Sequence, residues 1–203
     1  VYCNFAMTAQ VMFTLLTLFL VSFCTGQDFC LRKKCPQCTV DFELRLCGPT
    51  DWITTKIAST SSSDVLAANS RLKDYTKRQI KAGTSGTESA SYDIPTDSWP
   101  VLVTVTDSEV DPKYSLSWFL PPGAKKPENS DPLVQLESKP EVRIYVRAFG
   151  GSPSLENGRE NAKQLREALN IAGKTFDPDN YSGAGYESYF SLTHHNEIWI
   201  NAA

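Results

Sequence analysis

The sequence predicts an α+β fold: a curved, mostly antiparallel sheet or distorted barrel made of two β-α-β-type halves, with two helices packed on it. Three observations predict it. Short runs alternate in polarity, as where Ile144, Val146 and Ala148 share one face and Arg143, Tyr145, Arg147 and Phe149 the other. Two longer stretches change to helical spacing. The succession of extended hairpin, amphipathic helix and returning strands occurs twice, and neither intervening break is long enough to separate independently folding domains.

In the first half, extended segments fall at residues 40–47 and 52–59, a helix at about 63–80 and a returning strand at 101–107. The connection 81–91, KAGTSGTESAS, is flexible in composition. In the second half, strands fall at 114–120, 133–137 and 142–149, a helix at about 153–172 and a closing strand at 197–200. The loop PPGAKKPENSDP before residue 133 is stiffened by its prolines. The second helix carries the most signals. Pro153 suits a first turn, Ala162, Leu165, Leu169 and Ala172 share one face, and Gly173 can terminate it. The following run, GKTFDPDNYSGAGYES, reads as a glycine-rich turn. A sheet that is partly apolar on both faces needs cover, and two helices supply it.

A chain of 203 residues, 41% apolar and 11% aromatic, fits one domain with a substantial core. Its 20 basic against 23 acidic residues argue against a duplex-binding surface, so no nucleic-acid partner is expected. The run Arg32, Lys33, Lys34 is too short to change that. There is no G-x-S-x-G, H-E-x-x-H or phosphate loop, and no acidic pair stands out, so the chain reads as a non-enzyme.

Residues 11–23, VMFTLLTLFLVSF, are almost continuously apolar and lead into the small residues Cys24, Thr25 and Gly26. This reads as a secretory signal peptide over 1–26 with Met7 as the true start, although its n-region lacks positive charge. The run is shorter than the roughly 20 residues a spanning helix needs, so no stable membrane anchor is expected. Export would leave Cys30, Cys35, Cys38 and Cys47, with an arm at 27–39 and the domain at 40–203. Four cysteines allow three pairings, among which the sequence does not choose. A clip tethering the arm to the first strand would contribute about 2–4 kcal/mol. The alternative is zinc held by Cys35 and Cys38 of the C-x-x-C unit with Cys30 and Cys47, a spacing that matches no common finger. An oxidising compartment favours disulfides. Asn180, Tyr181 and Ser182 form an N-x-S glycosylation acceptor, which fits the same compartment.

Several stretches carry specific wording. Near the N-terminus stands DFELRLCGPTDWITTKI; later come Val146, Arg147, Phe149 and Gly151, then Phe176, Asp177, Tyr181, Ala184, Gly185 and Tyr186, and finally Asn196, Glu197, Ile198 and Trp199. In order and spacing these resemble the SOUL/heme-binding protein family over about residues 41–200. The family pattern is a first hairpin with E-x-R, G-P and W, then R-x-F-x-G, F-D x4 Y x2 A-G-Y, and N-E-[VI]-W. The chain departs from it at IPTDSWPVLVTV, where many relatives carry a Met-Thr pair.

The resemblance implies binding of heme or a porphyrin without catalysis. Iron in heme is usually held by His, Cys, Met or Tyr. The exported chain would have no methionine, and its only histidines are His194 and His195. Strand parity groups His194 with Ile198 and Ile200, making it the inward candidate for an axial iron ligand unless the segment is a turn. Some relatives have a histidine directly after the E-x-R of the first strand; here that position is Leu46, so the role does not carry over. Arg143 and Arg147 are candidate propionate partners. Trp52 and Trp199 are candidates for stacking on a flat ligand, against the plainer reading of core packing. The expected function is a secreted binder of heme, porphyrin or a similar flat hydrophobic ligand; the alternative is an extracellular interaction module that keeps the fold without the ligand.

Overall fold

The computed structural model describes residues 30–33, 41–83, 100–107, 112–122, 124, 131–187 and 194–203. The leader, Cys35, Cys38 and the divergent segment with Trp99 lie outside the described residues, as does most of both loops. Nine strands and two helices follow in the order β1 (Cys30–Lys33), β2 (Glu43–Cys47), β3 (Thr50–Ile57), α1 (Ser62–Gly83), β4 (Val101–Thr106), β5 (Lys113–Leu120), β6 (Gln135–Lys139), β7 (Val142–Phe149), α2 (Leu155–Ile171), β8 (Asn180–Gly185) and β9 (Asn196–Asn201). All strands join one sheet ordered β1-β2-β7-β9-β8-β4-β5-β3-β6, and every pair is antiparallel.

With β1 set aside, the order repeats itself about the β4–β8 boundary: β2, β3, α1, β4, β5 trace the same path as β6, β7, α2, β8, β9. The two halves expected from sequence are thus related by an approximate two-fold axis. They also force the sheet to roll. Only Gly48 and Pro49 link β2 to β3, which lie six places apart in the order, and only Pro140 and Glu141 link β6 to β7, again six places apart. At 3.8 Å per Cα step, a flat sheet with strands about 4.8 Å apart cannot satisfy such links, so the two margins must meet. A curled half-barrel results.

The helices cover one face. α1 buries Ala68, Leu72 and Tyr75, one stripe at helical spacing, against Ile53, Ile57, Leu116, Trp118 and Leu120. Trp118 Nε1 donates to Asn69 Oδ1 at 3.2 Å, fixing that helix to β5. α2 buries Ala162, Leu165 and Leu169 against Tyr145, Ile198 and Ile200. It starts two residues later than expected, at Leu155, because Ser154 supplies the cap and leaves Pro153 before the helix: Asn157 N–H donates to Ser154 Oγ at 3.1 Å. Gly173 follows the helix at φ +63, as its role required.

The opposite face gathers Cys47, Trp52, Leu102, Phe119, Ile144, Val146, Ala184 and Trp199 into one cluster. These residues come from both margins and from the middle of the sheet, so this face is the concave one.

Two elements differ from the sequence reading. The glycine-rich run is strand β8, sandwiched between β4 and β9. Neighbours on both sides satisfy its backbone, and this outweighs the weak strand preference of Gly183 and Gly185. Arg32 and Lys33 of the basic run belong to β1, an added margin strand that the sequence reading does not contain. Register sets Cys30 directly across from Cys47, which is disulfide-bonded.

Candidate functional site

Glu197 is the centre of the concave face. It is 1% exposed, yet its carboxylate is met by five donors. Arg45 approaches in a fork, Nη1 to Oε2 at 3.0 Å and Nη2 to Oε1 at 2.9 Å. Tyr186 Oη and Trp199 Nε1 each donate to Oε2 at 2.8 Å, and His195 Nε2 lies 3.1 Å from Oε1. Glu43 pairs with Arg45 from the other side.

Burial alone would raise the Glu197 carboxyl, but the hydrogen bonds from His195 and Arg45, with the guanidinium charge, hold it at about 2. The bond to Glu197 raises the His195 imidazole against its own burial. Burial beside the Glu197 charge pushes the Tyr186 phenol far up, so it stays a donor. With every lone pair engaged, Glu197 is not free to accept a substrate proton; it is a positioning group that pins Trp199.

Trp199 passes this order on to a cavity of about 340 Å³ where the margins meet. Trp52, Leu102, Val142, Ile144 and Trp199 supply apolar walls, and Thr50, Lys139, Asp177 and Asn180 supply polar ones. The apolar walls are close-set: Trp52 is 1% exposed, Leu102 and Ile144 2%, and Trp199 8%. Asp177 is engaged, accepting Asp179 and Asn180 backbone N–H groups at 2.9 and 3.0 Å and the Asn180 side chain at 2.9 Å.

The residues singled out from sequence separate into three groups. Trp52 and Trp199 meet on the concave face and line the same cavity. His195, not the parity candidate His194, joins the Glu197 network, because the concave face carries Glu197 and Trp199, whereas Ile198 and Ile200, with which parity groups His194, lie under α2. Arg143 and Arg147 face away from the cavity. Arg147 binds Asn161 Oδ1 and Gln164 Oε1 of α2 at 3.2 and 2.7 Å, and Arg143 is exposed. Asn180 opens β8, where its Oδ1 accepts from Thr106 at 2.8 Å.

The sequence reading passed over Arg45, Tyr186 and Glu197 as a unit, although each stood in a quoted motif. The signal lay in the motifs themselves: E-x-R, A-G-Y and N-E-[VI]-W each contribute one polar residue to it.

The residues fit the periphery of a tetrapyrrole better than its iron. Tyr181 is the only cavity-lining side chain of an axial-ligand type apart from the disulfide-bonded Cys47, and burial raises its phenol. Both histidines lie outside the lining. Among the described residues no group of three or more His, Cys, Asp or Glu is placed to hold a metal ion, and no helix is long and apolar enough to cross a membrane.

The protein is an α+β half-barrel of two related halves, with a carboxylate-centred clamp beside an aromatic-walled cavity. The model of the family described as "SOUL heme-binding protein" matches residues 29–201, and the chain belongs to that family. Human "Heme-binding protein 2" is 29% identical over 165 residues, covering 78% of this chain and 77% of that protein. The mouse protein of that name is 28% identical over 167 residues, with the same coverage. An uncharacterized conserved protein from Listeria innocua has the same fold, with TM-score 0.57 at 9% identity over 80% of this chain and 92% of its own.

Proposed function

We propose that this chain is a non-enzymatic, extracellular binding protein for heme, a porphyrin or a similar flat hydrophobic ligand. Family membership and the names of its human and mouse relatives support the ligand class. The observation that carries the reading is the clamp on Trp199: five donors fix one carboxylate so that an indole stands rigid beside Trp52 at a cavity of about 340 Å³ on the apolar concave face. A preorganised aromatic wall of this kind suits a flat ligand. A saturated Glu197 supports binding over catalysis.

At about 340 Å³ the cavity is near the lower end of ligand sites, roughly 300–1,000 Å³, so it holds part of a macrocycle and leaves the rest across the mouth. Attachment then rests on the ring and its substituents, and metal-free protoporphyrin should bind within about threefold of hemin, less than the tenfold that 1.4 kcal/mol would make. Titration of the exported, oxidised protein, followed by the Soret band and tryptophan quenching, tests this. One-to-one saturation by both supports the reading; a strict requirement for iron would point instead to an axial ligand, and no saturation by either would remove the tetrapyrrole function.

That last outcome would favour a second reading, an extracellular interaction module that keeps the fold without a ligand. The near-complete burial of Trp52, Leu102 and Ile144 favours it, since such walls already satisfy one another. The extracellular placement is supported by the leader-like segment and by a disulfide at Cys47. The backbone register, which sets Cys30 across from Cys47, supports that pairing.

A further inference from the structure

Among the side chains lining the cavity, Lys139 is the one cation. Its ammonium lies 5.6 Å from the centre of the Trp52 ring, and among the described residues it has neither a hydrogen bond nor an ion pair. Directly across the β3–β6 ladder stands Thr50, also in the cavity wall. Thr50 Oγ1 accepts Trp52 Nε1–H at 2.8 Å, and its own hydroxyl hydrogen has no acceptor among the described residues. Cross-strand partners share a sheet face, so the two donors stand side by side, both unspent and both next to apolar walls. Both residues are half-buried, and an open pair of donors in an apolar-walled cavity marks where an acceptor belongs. Asp177, the one carboxylate in the lining, is occupied by its own turn.

We propose that Lys139 and Thr50 form a carboxylate receptor for an acid carried on a flat apolar stem, with the stem against Trp52 and Trp199. Lys139 supplies charge and Thr50 direction. The Trp52 indole, by donating to Thr50 Oγ1, orients the hydroxyl toward the incoming oxygen. Desolvation lowers the lysine's affinity for its proton while Glu137 raises it, and an arriving anion would restore that affinity. The acid could be the propionate arm of a tetrapyrrole, in which case the assignment rests on the function proposed above, or a free aryl acid, in which case it does not.

Three ligands separate these sources: protoporphyrin IX, its dimethyl ester and 3-phenylpropionate, each titrated into the exported protein and into Lys139→Met, Lys139→Arg and Thr50→Val. Loss of a charge-assisted pair should weaken protoporphyrin by about tenfold or more, both in the ester and in Lys139→Met, with Lys139→Arg restoring most of it. The ester arm is independent of how any variant folds. Equal binding of acid and ester to the unaltered protein overturns the receptor while leaving tetrapyrrole binding intact. Lys139-dependent binding of 3-phenylpropionate with no porphyrin binding supports the receptor and overturns the tetrapyrrole function. Binding of none of the three overturns both.

Discussion

Glu197 and its five donors set the chemistry of the concave face. Removing the carboxylate strips the half-buried Arg45 of its forked partner, so Glu197→Leu should lower stability by about 3–5 kcal/mol in urea unfolding. Glu197→Gln, which keeps the shape, should lower it less and still blue-shift or quench Trp199 emission differently from the parent. The pH dependence follows from the same contacts. Glu197 is held below its ordinary 4.5, at about 2, so its contribution is complete above about pH 4.5 and is lost as pH falls toward 2. His195 is raised, so its contribution is present in mild acid and is lost as pH rises through its folded value. Acid unfolding of the parent and Glu197→Gln should therefore converge near pH 2; parallel curves down to that pH would contradict the assignment. Little of this network was legible in the sequence. Arg45 and Glu197 are separated by 152 positions, and no local pattern pairs them. The histidines were legible as candidates, but sequence alone does not tell which face of β9 is concave: Ile198 and Ile200 lie under α2, and Glu197 and Trp199 face the cavity side with His195.

Elements were easier to read where one face is apolar and the other wet. α2 carried the clearest local signals, and its buried face is the one expected, with Ala162, Leu165 and Leu169 at the core. Its start depends on Ser154, whose hydroxyl takes up the Asn157 N–H; Ser154→Ala should lower stability by about 1 kcal/mol without altering ligand binding, as measured by thermal unfolding. A change above 3 kcal/mol would mean that the cap holds more than its own helix. β8 was missed for a physical reason. Its two glycines and two small polar or apolar residues give no alternation, and its strand character comes from Val101–Thr106 on one side and Asn196–Trp199 on the other. The motif words did register its importance: Asp177 turns the chain into β8, and Tyr186 follows it to reach Glu197.

At the scale of the whole molecule, the doubled order of elements was readable from the sequence, and the rolled sheet follows from two links of two residues each. The outer strand β1 was not readable, because a short basic run has no strand signature until β2 offers it an edge. That strand lies outside the two-fold pattern, so its loss should leave the half-barrel standing. Peptide mapping of the non-reduced protein should yield Cys30 joined to Cys47, and reduction should lower stability by about 2–4 kcal/mol while near-ultraviolet dichroism of the aromatic cluster persists. A different partner for Cys47 would refute the pairing.

The two margins of the half-barrel approach each other through side chains and short links, and no ladder among the described residues joins β2 to β3 or to β6. Parting them therefore breaks no backbone hydrogen bond between strands. A large flat guest can be admitted by a breathing motion of the seam, with repacking around Trp52 and Cys47 as its barrier, while the amides of the central strands stay protected from solvent exchange throughout. Admission and global stability are in this way uncoupled: the molecule can open quickly without first beginning to unfold.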